Sequence, residues 1–237
     1  MDSTQPKPNL TIFFPCYNDR GTIRNLIEKS DTVAREWTND YEILVIDDGS
    51  GDGSRETLKD LQSKYPHVRA IFHEHNKGYG ATLQTGFREA IKDWVFYTDG
   101  DGQYDVSELR KLIPLTAGAV DIVNGYKIKR ADSWYRKVLG GMYAIFAKIL
   151  FKIRIRDVNC DFRLIRRRIF DKIKLESKSG AIGLELIKKA ELAGFHIVEC
   201  PVHHYPRSYG RSQFLNLKHI MQTVHDLTRL TCELGRR

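Results

Sequence analysis

Long hydrophobic runs are the first thing this sequence lacks. No uninterrupted apolar stretch approaches the roughly 20 residues needed to span a bilayer. The opening MDSTQPKPNL shows no basic-then-apolar pattern, so the expectation is a chain without a secretory leader. Cysteine is scarce. Cys16, Cys160, Cys200 and Cys232 are scattered without a C-x-x-C pair, which argues against a disulfide framework or zinc site and fits a reducing compartment. Low-complexity tracts, internal repeats and Pro/Gly-rich linkers are missing too, so a single domain over 1–237 is expected.

Several nucleotide and metal signatures are also absent. GYGATLQTG is not G-x-G-x-x-G, because Leu83 occupies the third glycine's place, and no phosphate loop ends in G-K-S/T. Neither acidic cluster is an EF-hand: the twelfth position from Asp99 is Arg110 and from Asp48 is Lys59, where a bidentate Glu is required. His73 and His75 share a strand face, and His203 and His204 adjoin PRSYG. No third ligand stands at suitable spacing, so no metal site is read there.

What is present is charge, unevenly placed. The net charge is +8, yet 127–168 alone holds thirteen Lys and Arg against three Asp, a local +10. A basic middle suggests a polyanionic partner or, more blandly, a solvated surface. Nucleic acid is the weakest of the polyanions, because the basic residues lack interleaved stacking aromatics.

The first 125 residues alternate between strand and helix patterns. LTIFF (10–14), EILVI (42–46), VRAIF (68–72), WVFYT (94–98) and DIVNG (121–125) are short, β-branched and aromatic, and read as strands. Ile23, Leu26, Ile27, Val33 and Ala34 recur at helical spacing after Asn18 or Asp19, a plausible N-cap; Leu83, Phe87, Ala90 and Ile91 mark a second helix. Such alternation implies βαβ units and a mostly parallel sheet with helices on both faces. Ligands of such sheets bind beyond the carboxyl ends of the strands. PCYND, DDGSGDGS and TDGDGQYD directly follow strands and HNKGYGAT follows after a short gap, so all four should line one rim.

The second half is less regular. LGGMYAIFAKILFKIRI (139–155) is apolar but broken by Lys148, Lys152 and Arg154; a core helix is one reading, and an amphipathic helix on a membrane surface the preferred one. Leu217, Ile220, Met221, Val224 and Leu227 outline another amphipathic helix over 214–237.

The chemistry concentrates in the rim loops. Asp99 and Asp101, with the amide oxygen of Gln103, suit a hard divalent cation, Mg²⁺ or Mn²⁺, that keeps waters and bridges phosphates. A solvated turn is the bland alternative. Asp47 and Asp48 can accept hydrogen bonds from a base imide or ribose hydroxyl, or cap the helix that begins near Ser54. NKGYGAT offers backbone N–H groups and Lys77 near a helix start, suited to a nucleotide or phosphate.

FFPCYND, VIDDGSGDGS, NKGYGATLQTGF, TDGDGQYD and DVNCDFRLIRR stand in the order and spacing of family 2 glycosyltransferases with the GT-A fold. The chain most resembles the branch of dolichyl-phosphate mannose synthases and polyprenyl-phosphate glycosyltransferases, over roughly 8–215. The resemblance implies a Rossmann-like, mostly parallel sheet flanked by helices, with amphipathic surface helices in the C-terminal half. It divides the chain into a nucleotide-sugar and metal half (8–125) and an acceptor half (126–215). It implies a nucleotide-sugar donor held by Pro15, Tyr17, Asp19, Asp48 and Gly78, with Asp47 nearby. Asp99, Asp101 and Gln103 match the metal-binding D-x-D-x-Q, and Lys127 and Arg136 match basic positions that meet a lipid phosphate. PRSYGRSQF resembles a loop that closes over the site, carried by Arg207 and Ser212. Asp99, Asp101 and Arg207 are thus the expected catalytic set.

Two positions depart from the pattern: Asp161 stands where glycine is frequent, and Gln213 where lysine is usual. The expected reaction is inverting transfer to a polyprenyl (dolichyl-type) phosphate. Such an acceptor, with a second pKa of about 6, is already an anionic nucleophile and needs positioning rather than a strong base. A saccharide or protein hydroxyl acceptor would need one, for which Glu185 and Asp161 are the candidates. A non-catalytic nucleotide-sugar or membrane-binding module is the third alternative. The implied location is cytoplasmic, at the cytosolic face of a membrane, reached through amphipathic helices or a membrane-anchored partner subunit.

Overall fold

The computed structural model describes residues 8–128, 141, 145, 147–210 and 217–235. Its first half runs β1 (Leu10–Cys16), α1 (Arg20–Trp37), β2 (Tyr41–Asp47), α2 (Ser54–Lys64), β3 (Val68–Phe72), α3 (Tyr79–Glu89) and β4 (Trp94–Thr98). Helical turns across 106–116 lead to β5 (Ile122–Lys127), so all five expected strands are present within two residues of their expected ends. Two further strands were not read from the sequence: β6 (Phe162–Arg166) and β7 (Ile197–Val202). Helices at Ile182–Leu192 and Leu217–Leu234 complete the chain.

Among the described residues, seven strands form one sheet in the order β3-β2-β1-β4-β6-β5-β7. β1 pairs with β2 and β4, β2 with β3, and β5 with β7, all parallel, whereas β6 runs antiparallel between β4 and β5. Every residue of β1, β2 and β4 is buried, because helices cover both faces and the strands need not alternate polar with apolar. Alternate side chains supply two cores. Ile12, Phe14, Ile43, Val45 and Phe96 pack under α1 and α2. Phe13, Leu44, Ile46, Val95 and Tyr97 face α3 and the Ile182–Leu192 helix. Each such side chain contributes roughly 1.5–3 kcal/mol by leaving water.

The 139–155 stretch differs from the expected surface helix. Its described helical residues end at Phe151, and Lys152 adopts a left-handed φ of 50°. Ala147, Phe151, Ile153 and Ile155 are buried in the second core, so this side of the segment is core. Beyond the helix the backbone is pinned through Arg154 N to Glu191 and Arg156 N to Glu199. Ile145, Ile149 and Leu150 remain exposed. The C-terminal helix is split along its length: Leu217, Ile220, Met221 and Val224 are exposed, whereas Leu227 and Leu230 pack into the core. Among the described residues no helix is long and apolar enough to cross a membrane.

Candidate active site

β1 and β4 are adjacent parallel strands between which the chain order reverses, so a topological switch point lies at their carboxyl ends. The four expected loops meet there. Asn18, at a left-handed φ of 58°, donates its backbone N–H to Ser50 Oγ (2.9 Å) and accepts from Gly51 N through Oδ1 (2.9 Å). Thr22 Oγ1 donates to Gly100 O (2.6 Å), tying α1 to the β4 loop. Gly100 itself is compulsory, because a Cβ there would lie 2.6 Å from the carbonyl oxygen of Pro15.

The acidic residues divide by their partners. Asp48 accepts from Lys77 N (2.9 Å), Gly78 N (2.9 Å) and His73 Nδ1 (2.7 Å). Asp47 is fully buried; it takes Ser50 N (3.3 Å) and pairs with Arg55 (3.3 Å). Both carboxylates therefore shape the loops from behind, and neither caps α2. That work falls to Asp52, which accepts from the backbone N–H and hydroxyl of Ser54 and from Arg20 N. His73 likewise serves Asp48 rather than a metal.

Asp19, Asp99 and Asp101 form a second set, in which Asp101 lies close enough to raise the proton affinity of the other two. Asp19 caps α1 with its backbone and turns its carboxylate back to Tyr17 N (3.1 Å). Burial, reinforced by Asp101, pushes its carboxyl up to about 7. Asp99 accepts from Tyr79 Oη (2.8 Å). Its carboxyl is pushed well above the usual range by burial and by the neighbouring charges of Asp161 and Asp101. Asp101 accepts from Gln103 N (3.0 Å) and from the Arg207 guanidinium. Gln103 donates its side-chain amide to Tyr205 O (3.1 Å). Hard oxygens set close enough to raise one another's proton affinity are a donor set that a divalent cation fits. Among the described residues no three His, Cys, Asp or Glu side chains form a metal cluster. A cation at Asp99 and Asp101, with the Gln103 amide oxygen that the motif implies, would complete its shell with phosphate and water oxygens.

The flanks hold residues the sequence reading missed. Arg163 is fully buried in β6, bonded to Asn124 Oδ1 (2.7 Å), Val158 O (2.6 Å) and Tyr97 Oη, and it pairs with Asp161 (3.4 Å). Asp161 thereby sits beside the Asp99 pocket with a counter-ion of its own. The 177–179 loop supports α3: Gly80 N donates to Lys178 O (3.0 Å), and a Cβ at Gly80 would lie 2.3 Å from Ser177 O. Tyr79 and Arg163 lie within NKGYGATLQTGF and DVNCDFRLIRR, yet nothing in their spacing announced these contacts.

Residues 205–210 lie as a strap over the acidic loop. Tyr205 N donates to Gln103 O (2.8 Å), Arg207 reaches Asp101, and the Tyr209 ring packs on Gly21 so closely that a Cβ there would be 2.4 Å from it. Tyr17, Gly49, Gly51, Asp52 and Tyr209 line a cleft of about 580 Å³ beside the strap. Lys77 instead borders a second cleft, of about 530 Å³, with His73, His75 and Arg88 at the β3 edge.

Two expectations fail on the acceptor side. The Lys127 ammonium is shut away, bonded to Asn159 O (2.6 Å) and paired with Asp157 (3.1 Å), so it presents no open cation. Glu185 is neither base nor surface residue. It is fully buried, accepting from Ser177 N (2.8 Å) and pairing with Lys189 (2.8 Å). Arg136 and Ser212 lie outside the described residues.

A doubly covered, mostly parallel sheet with a D-x-D loop at its switch point is the architecture of GT-A glycosyltransferases. The chain belongs to glycosyl transferase family 2, whose model matches residues 11–174. A mannosyltransferase from Pyrobaculum calidifontis, solved with GDP-Man and Mn²⁺, superposes with a TM-score of 0.67 at 17% identity, over 95% of this chain and 65% of that one. This chain thus spans about two thirds of that protein's length. Mannosyl-3-phosphoglycerate synthase from Rubrobacter xylanophilus gives 0.66 at 16% identity, over 97% and 74%. Glucosyl-3-phosphoglycerate synthase from Mycobacterium tuberculosis, with Mn²⁺, UDP and phosphoglyceric acid, gives 0.71 at 15% identity, over 94% and 78%. At these identities the shared property is the fold.

Proposed function

We propose that this chain transfers a sugar from a nucleotide-sugar donor to a polyprenyl phosphate, with Mg²⁺ or Mn²⁺ held by Asp99 and Asp101. The carrying observation is the trio Asp19, Asp99 and Asp101, gathered under Arg207 at the switch point with two carboxyls raised above their ordinary range. The nucleoside belongs in the cleft at Tyr17, which Gly49, Gly51 and Asp52 also line. A bound cation neutralises charge that develops on the diphosphate leaving group. Tyr79 orients Asp99, while Asp48 fixes the 77–78 turn at the start of α3.

A phosphate acceptor is supported by the engagement of Glu185, since it removes one of the two candidate bases. The exposed apolar residues Ile145, Ile149, Leu217, Ile220, Met221 and Val224 suit a lipid substrate at a membrane surface. With Lys127 withdrawn, Arg207 is the described cation that this reading assigns to the acceptor phosphate. A hydroxyl acceptor is the second reading, favoured by Asp161 beside Asp99. Released nucleoside diphosphate, measured over a panel of nucleotide sugars, identifies the donor. Labelled donor offered to polyprenyl phosphate and to simple sugars then separates the two readings; label entering only the sugars overturns the lipid one.

A further inference from the structure

We propose that Arg207 and the divalent cation compete for Asp101, so that the 205–210 strap latches the acidic loop until the cation displaces the guanidinium. The inference rests on the reading that Asp99 and Asp101 hold a metal. Both oxygens of Asp101 are engaged. Oδ1 takes the local Gln103 amide (3.0 Å), a turn contact within its own loop, and Oδ2 takes Arg207 Nη2, from a segment over a hundred residues away. A cation at Asp101 therefore meets the guanidinium first.

The strap is built to rest in this position and to leave it. Tyr205 N–H donates to Gln103 O at 2.8 Å, Gln103 Nε2 donates to Tyr205 O at 3.1 Å, and the Tyr209 ring lies on Gly21. Against these, Arg207 Nε is buried without a hydrogen-bond partner among the described residues. A buried donor left unsatisfied weakens the state that contains it. The Arg207 guanidinium brings one positive charge to Asp19, Asp99 and Asp101, and a divalent ion brings two. Once displaced, Arg207 carries a planar fork suited to phosphate oxygens. The same side chain thus reports on metal occupancy and becomes available for substrate in one step.

A closed fraction of nine-tenths would weaken apparent metal affinity about tenfold. Mn²⁺ binding to the full chain, read as loss of the free-ion EPR signal without nucleotide, measures this directly. Arg207→Met should bind Mn²⁺ about tenfold more tightly than the unaltered chain. Arg207→Lys should fall between, and Asp101→Asn should bind none. Amide exchange at Tyr205 should speed up on Mn²⁺ addition and in Arg207→Met. Equal or weaker binding by Arg207→Met, with Tyr205 exchange unmoved and Asp101→Asn still inert, overturns the latch and leaves the metal reading standing. No Mn²⁺ uptake by the unaltered chain or Arg207→Met, with UDP or GDP present or absent, overturns both.

Discussion

Two groups of withdrawn carboxylates in this molecule have opposite fates. Asp226 on the C-terminal helix and Glu185 packed against that helix form one group, and Asp19 and Asp99 at the rim of the sheet form the other. Asp226 accepts from Lys178 N (2.9 Å), Ser179 N (2.9 Å) and Gln222 Nε2 (3.0 Å). Glu185 has Lys189, Ser177 and Arg229. Burial would raise both carboxyls, yet these donors hold them below the ordinary carboxylate range. Asp19 and Asp99 have fewer donors and acidic neighbours, and burial carries them upward. The first group fastens structure with its charge fully met. The second keeps charge unmet, which costs stability and is retained where a cation is to bind.

Substitutions can break this contrast. The largest effect is expected at Asp101→Ala, which should reduce transfer by on the order of 10³-fold while thermal unfolding stays cooperative; retained, fully metal-dependent transfer would remove Asp101 from the metal site. Next comes Asp226→Ala, which strands the backbone donors of Lys178 and Ser179, the second of them buried, and should cost about 3 kcal/mol in urea unfolding. A cost below about 1 kcal/mol would mean the 177–179 loop holds itself. Asp99→Asn keeps an acceptor for Tyr79 but removes a disfavoured charge, so the melting temperature should rise by roughly 2–4 °C as transfer falls.

The mildest test is pH. Because Asp226 and Glu185 are more acidic folded than unfolded, they contribute stability above the ordinary values of 3.8 and 4.5 that is lost as pH falls through the folded ones. Urea midpoints measured downward from pH 6 should therefore drop below about pH 4.5, and Asp226→Asn should flatten the drop. An unchanged slope would show that Asp226 does not stay charged on folding.

Much of this was legible along the chain. β1 to β5 follow from short apolar runs, and their order with α1 to α3 follows from local alternation, so the rim loops could be named. β6 was hidden because FRLIR carries Arg163 and Arg166 where a buried strand ought to be apolar. Arg163 is tolerated only because Asn124, Tyr97 and Val158 come to it from three other segments. β7 contains Glu199 and Pro201, acceptable at the sheet edge where no second partner needs the missing N–H.

Lys127 shows the same limit in the site itself. A lysine after a strand reads as an open cation until Asp157, 30 residues on, is folded against it. The sequence by itself determined the sheet's first half, the family and the identity of the acidic loop, because those depend on residue type and short spacing. Which carboxylates are satisfied, which cations are spent, and that Arg207 rests on Asp101 were decided by tertiary structure alone. Charge is carried by single residues, but its neutralisation depends on partners that only long-range folding supplies.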